Sequence, residues 1–226
     1  MANKFLGQAV FFLHGEKKHT NVFPELTEEG TKTIKKASIL IPFINGDVRA
    51  VTMFSSVSAE ALDSADIIKK ELGIKTDIKA TKDISAIEIK DKKRAKELFV
   101  EISQGGPQAL AIAYGTDPRF EDGVIVEPRS EVKKRFFCFF SDLINWFVMN
   151  MGSAPCIIAI SHYEVLYHLV ETVFGLDCEK DMPLGYGEFI TTNVYKSGVR
   201  DEVEIEIIFR KKTVKISFDY KKREIV

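Results

Sequence analysis

Two apolar runs, Lys4 to Leu13 and Pro155 to Ser161, each stop at a histidine, His14 and His162. Neither run alternates polar with apolar residues. Strands covered on both faces read this way, and they belong to parallel sheets sandwiched between helices. The chain between them supplies the helices. Thr27 stands as an N-cap before Glu28 and Glu29, ahead of a helix reaching to about Pro42. Arg49 to Ser55 reads as a second strand. Ser58 to Leu72 places Ala61, Ala65, Ile68 and Leu72 on one helical stripe and stops at Gly73. Ile74 to Ile89 offers short β-prone pieces, Lys90 to Ile102 a charged amphipathic helix, and Leu110 to Ala113 a brief apolar run before a loop from Gly115 to Gly123. Glu164 to Phe174 is a further helix. From Gly187 the pattern alternates, and Glu202 to Ile208 with Thr213 to Tyr220 flank Arg210-Lys211-Lys212 as a hairpin. The expectation is one α/β domain over residues 1–226: a three-layer α/β/α sandwich with a mostly parallel central sheet and a C-terminal β-hairpin.

Glu131 to Met151 is the most aromatic stretch, with Phe136, Phe137, Phe139, Phe140, Trp146 and Phe147 around Ser141, Asp142 and Asn145. Its polar residues and short length make it a buried core helix rather than a membrane span. A net charge of -1 gives no basic excess for nucleic acid or an anionic membrane, so neither is expected as a partner. Cys138, Cys156 and Cys178 are odd in number and lack Cys-x-x-Cys spacing, which fits thiols in a reducing, cytoplasmic setting. Neither a signal peptide nor a long apolar span is legible. Oligomeric state is not.

The two strand ends carry the candidate chemistry. In an open α/β sheet the carboxyl ends of the strands line one crevice, so His14 and His162 are expected to meet there. A glycine such as Gly15 lets the chain turn and a ligand approach closely. An imidazole presented this way can attack phosphorus, provided cations hold the phosphoryl oxygens. His14 reads equally as a satisfied histidine where a core strand meets a loop.

Several segments, taken in order, are similar to those of the histidine phosphatase superfamily, the phosphoglycerate-mutase-like enzymes. Leu13-His14-Gly15-Glu16 resembles its Arg-His-Gly-Glu, and Leu26-Thr27-Glu28-Glu29-Gly30 its Leu-Thr-x-x-Gly. Ser55-Ser56-Val57-Ser58-Ala59-Glu60-Ala61 resembles Ser-Ser-Pro-Leu-x-Arg-Ala. The run from Glu127 to Arg135 is similar to the segment opening the late helix, and Ile160-Ser161-His162 to the second histidine motif. The resemblance spans about Phe5 to Tyr220. It implies His14 at the nucleophile position and His162 as the partner that stabilises the transferred group. It also implies two arginines and a carboxylic acid. Leu13 and Glu60 stand at the arginine positions, and Glu88 is the closest carboxylate to the acid position, which falls around Ala86.

These departures have physical consequences. Each lost bidentate arginine removes about 2–5 kcal/mol of stabilisation, and a glutamate adds repulsion against a phosphate dianion. Lys17, Lys18 and His19 return some positive charge or form a solvated basic loop, and Gly15, Lys17, Lys18 and Glu60 are the expected ligand-binding residues. Glu60 beside His14 is also expected to favour the imidazolium, which is no nucleophile. Three functions stay open. One is a degenerate member of the superfamily with a crevice for a small ligand or partner. Another is an active phosphatase or phosphomutase that works on a small phosphorylated metabolite through a phosphohistidine at His14. The third is a metal-binding protein, because His14, His162 and Glu60 have the composition of a two-histidine, one-carboxylate site. No spacing motif for a metal or organic cofactor is present, so no cofactor is expected.

Overall fold

A computed structural model describes residues 4–18, 25–43, 51–106, 109–175 and 183–226. Strand β1 is Phe5–Leu13, and every residue from Leu6 onward is buried, as its unbroken apolar sequence demands. Its one polar interior side chain, Gln8, is satisfied: the amide donates to the Pro42 carbonyl at 2.8 Å and to Asn193 Oδ1 at 3.0 Å. There follow α1 (Glu28–Ser38), β2 (Val51–Ser56), α2 (Ala59–Leu72), β3 (Ile78–Thr81), α3 (Lys92–Ser103), α4 (Ala109–Thr116), α5 (Arg129–Met149), β4 (Cys156–Ser161) and α6 (Tyr163–Phe174). Strands β5 (Phe189–Lys196), β6 (Glu202–Phe209), β7 (Lys212–Asp219) and β8 (Glu224–Ile225) complete the chain.

All eight strands join one sheet in the order β3-β2-β4-β1-β5-β6-β7-β8. The first four positions are parallel and the rest antiparallel. Each strand face buries a different helix layer. Val10, Phe12, Ile158 and Ile160 pack with Ile34 of α1 and with Ala61, Ala65 and Ile68 of α2. Phe11, Leu13, Ile157 and Ala159 pack with Phe136, Phe140 and Phe147 of α5 and with Val165 and Leu169 of α6. The result is the three-layer α/β/α arrangement, with α5 as an aromatic core helix whose Phe136 meets Phe11 edge-on at 5.8 Å. Among the described residues, no helix is long and apolar enough to cross a membrane.

Some boundaries differ from the sequence expectation. Leu110 to Ala113 lies inside α4, because a run of alanine and leucine has strong helix propensity despite its brevity. Ile74 to Ile89 yields only β3 and an isolated bridge between Ile89 and Val126. The β6–β7 turn is Arg210-Lys211, with Arg210 at a left-handed φ of 54°. Glu188 holds that guanidinium at 2.8 and 2.9 Å, helping fix the turn. Arg49, His19 and Cys178 lie outside the described residues; Cys138 and Cys156 are free thiols.

Candidate functional site

Sheet register brings the two histidines together. Leu13 pairs with Ser161 across β1 and β4, and the His14 amide donates to the Ser161 carbonyl at 3.1 Å. One residue further on, the two rings stand 4.9 Å apart between centroids with their planes at 60°. Both are buried, 5% and 2% exposed. Tyr186, from the segment leading into β5, brings its ring to 5.6 Å from His14.

The loop after His14 is held tightly. A Cβ on Gly15 would stand 2.9 Å from the Gly30 carbonyl oxygen, and one on Gly30 would stand 2.3 Å from the Glu16 carbonyl oxygen. These glycines therefore let the loop lie on the start of α1, where the Thr27 hydroxyl accepts from the Gly30 amide at 2.8 Å. Gly15 is buried in this contact and donates its amide to Ser64 Oγ at 3.0 Å. Its lack of a side chain serves that packing.

His14 Nδ1 lies 2.7 Å from the Gly15 carbonyl oxygen. A carbonyl only accepts, so Nδ1 carries the proton and the neutral ring keeps its lone pair on Nε2. Burial lowers the His14 pKa; the Gly15 carbonyl and the Glu60 charge pull the other way and are outweighed. The expected imidazolium is thus corrected to a neutral ring, because desolvation exceeds the attraction of a carboxylate that Lys17 already neutralises. His162 is held well below the usual histidine range, first by burial and then by the positive charges of Lys17 and Arg135. Its Nε2 lies 2.8 Å from Ser56 Oγ and 3.1 Å from Ser58 Oγ. Ser58 is the N-cap of α2 yet makes no capping bond, its hydroxyl being turned to the histidine instead.

Glu60, in the first turn of α2, is only 4% exposed and accepts from Lys17 Nζ at 2.8 Å. Desolvation pushes its pKa up, but the Lys17 hydrogen bond and charge prevail and keep the carboxyl below its usual range. His14, His162 and Glu60 each offer a ligand atom, and all three atoms lie within 4.8 Å of one another.

Other expected residues lie elsewhere. Lys18 pairs with Glu25 at 3.3 Å on the surface. Glu88 is exposed, and its amide donates to the Glu127 carboxylate at 3.3 Å. Strand alternation does not support Glu88 as the acid, because β3 ends at Thr81 and alternation no longer fixes which way the following residues face. Nearer the expected acid position, Ser85 brings its hydroxyl to 3.3 Å from Ser56 Oγ. Leu13 packs into the apolar cluster under α5 and α6. The fork of Arg135 is spent on Glu127 and on the carbonyls of Asp83 and Ser85, at 2.9, 2.8 and 2.7 Å.

Sequence reasoning missed Ser58, Ser64, Tyr186 and Glu164 as parts of this crevice. Glu164 follows His162 by two residues in the first turn of α6. Part of its surface is exposed, but protein atoms crowd it, and desolvation raises its pKa against the pull of Lys17 and Arg135. An acidic residue just beyond a crevice histidine was the available signal. Tyr186 had none, because a loop far along the chain delivers it.

No protein-family model and no curated protein matches the chain. Solved structures do. A mycobacterial hydrolase is 13% identical with a TM-score of 0.64, covering 96% of each chain. Phosphoglycerate mutase from Bacillus anthracis is 11% identical with a TM-score of 0.60, covering 90% of this chain and 92% of its own. Mycobacterial glucosyl-3-phosphoglycerate phosphatase, in complex with inorganic phosphate, is 16% identical with a TM-score of 0.57, covering 83% and 90%. At these identities the likeness establishes the fold, which is phosphoglycerate-mutase-like.

Proposed function

We propose that this protein keeps the phosphoglycerate-mutase-like fold and its paired histidines but does not perform phosphomonoester chemistry. The observation that carries this reading is the Lys17–Glu60 ion pair, 2.8 Å long, whose buried carboxylate faces both rings. A phosphoryl group entering the crevice would bring its negative charge against that carboxylate. Leu13 offers no compensation, and the charge of Lys17 is already matched. Losing charge-assisted partners at about 2–5 kcal/mol each, with tenfold in rate for every 1.36 kcal/mol, removes several orders of magnitude. The crevice then serves a small ligand or a partner other than a phosphomonoester. Residues 1–226 act as one domain, since a single sheet runs from β1 to β8. Free Cys138 and Cys156 suit a reducing, cytoplasmic setting. The test is hydrolysis of p-nitrophenyl phosphate at pH 7 by the wild type beside His14→Ala. Equal background rates are expected, and a rate that depends on His14 refutes the reading.

One observation favours the alternative of an active phosphatase or phosphomutase. Donation from His14 Nδ1 to Gly15 leaves the Nε2 lone pair free to attack phosphorus. A small phosphorylated metabolite would be the substrate, as the phosphate held by the mycobacterial phosphatase suggests. Glu164, its carboxyl pKa raised by desolvation, would protonate the leaving oxygen. Acid-labile phosphate on His14 after turnover is the outcome that selects this alternative.

A further inference from the structure

We propose that His14, His162 and Glu60 bind one divalent transition metal of the zinc class, and that Lys17 takes the cation's place when the metal is absent. The three ligands come from three elements that converge on one point: the end of β1, the end of β4 and the first turn of α2. Two imidazole nitrogens and one carboxylate oxygen form a borderline donor set. It suits zinc, iron(II) or cobalt(II), whereas magnesium and calcium prefer oxygen alone. Ligand atoms bound at about 2.0–2.2 Å stand roughly 3.3–3.6 Å apart around a tetrahedral ion. The present spread of up to 4.8 Å therefore closes with small side-chain rotations.

The surroundings hold the ligands as a metal site requires. The Gly15 carbonyl fixes the His14 tautomer so that Nε2 presents its lone pair, and the Ser56 and Ser58 hydroxyls brace the His162 ring from its Nε2 side. Both rings are buried at the ends of two central strands, so little ordering is left for binding to impose. The carboxylate that repels phosphate attracts a dication. Lys17 must also yield: it occupies Glu60 at 2.8 Å, but a third of its flexible side chain is already in solvent. Three protein ligands leave a fourth position for water or a small ligand. This inference shares with the proposed loss of phosphate chemistry the inward carboxylate of Glu60, but it does not depend on whether the protein hydrolyses anything.

Cobalt(II) is the probe. Full-length protein stripped with a chelator and titrated with cobalt is expected to develop visible d–d absorption that saturates at one equivalent and is displaced by zinc. His14→Ala, His162→Ala and Glu60→Gln, each checked for folding by circular dichroism, are expected to weaken binding by more than about tenfold. Lys17→Met keeps all three ligands and removes the competing charge, so it is expected to tighten binding by about tenfold or more. Absence of a one-equivalent transition in the wild type overturns the proposal. So does binding that ignores the histidine substitutions, or a Lys17→Met variant that binds no more tightly than the wild type. Because absorbance rather than turnover is read, a positive phosphatase assay overturns the preceding proposal and leaves this one to its own result.

Discussion

Replacing Lys17 by methionine strands the Glu60 carboxylate. In the native protein its side chain is 5% exposed and its Oε1 rests 2.8 Å from the ammonium. Breaking a wholly buried ion pair by removing one partner costs about 3–5 kcal/mol. Lys17 is 34% exposed, so water can reach part of the vacated space, and the expected loss at pH 7 is about 1–3 kcal/mol. The loss carries a pH signature. With Lys17 present, the folded Glu60 pKa lies below its unfolded value, so the pair's stabilisation exists above the unfolded pKa and disappears as pH falls through the folded one. Without Lys17, desolvation is left to raise that pKa, and the folded state is penalised until the carboxyl is protonated. The gap between the two proteins in urea unfolding is therefore wide at pH 7 and narrow at pH values below Glu60's titration. Adding Glu60→Gln to the variant removes the charge and returns most of the loss, which a double-mutant cycle reads directly. An identical loss at both pH values, or no coupling between the two positions, refutes the idea that Glu60 is a buried charge held by Lys17.

Two further outcomes follow from the same crevice. Ring-proton NMR is expected to show His14 and His162 neutral at pH 6.5, and stability should fall as pH drops below about 6.5, because the unfolded histidines take up protons that the buried rings refuse. A histidine in this pair titrating above 6.5 contradicts the assigned burial. Gly30→Ala forces a methyl against the Glu16 backbone, 2.3 Å away before relaxation, and is expected to cost about 1–3 kcal/mol in urea unfolding, with no loss seen if the loop does not lie on α1 as described.

The layers of this fold were legible because its central strands are buried on both faces and so read as unbroken apolar runs, while α2 shows a clean stripe ended by Gly73. The meeting of His14 and His162 was also legible, since both follow strands whose ends share one side of a parallel sheet. The acid position was not. Its expected place around Ala86 lies beyond β3, where the chain leaves the sheet and no periodicity fixes orientation, so the pattern gives Glu88 no support. The protonation of His14 was misjudged for a different reason: the family resemblance placed Glu60 beside it, but neither burial nor the Lys17 bond can be read from a motif match. Ser58 shows how local rules fail at such a site, because a residue suited to capping α2 turns its hydroxyl to His162.

The central claim is that the Glu60 carboxylate, buried against both histidines, keeps a phosphoryl group out of the crevice. Orthovanadate, a tetrahedral and five-coordinate mimic of the phosphoryl group, tests it when titrated into metal-free protein at pH 7 with the His14 and His162 ring signals as reporters. The account predicts unmoved histidine signals in the wild type and vanadate-dependent shifts in Glu60→Arg, which puts a cation at that position. Saturable shifts in the wild type that vanish in His14→Ala would contradict it.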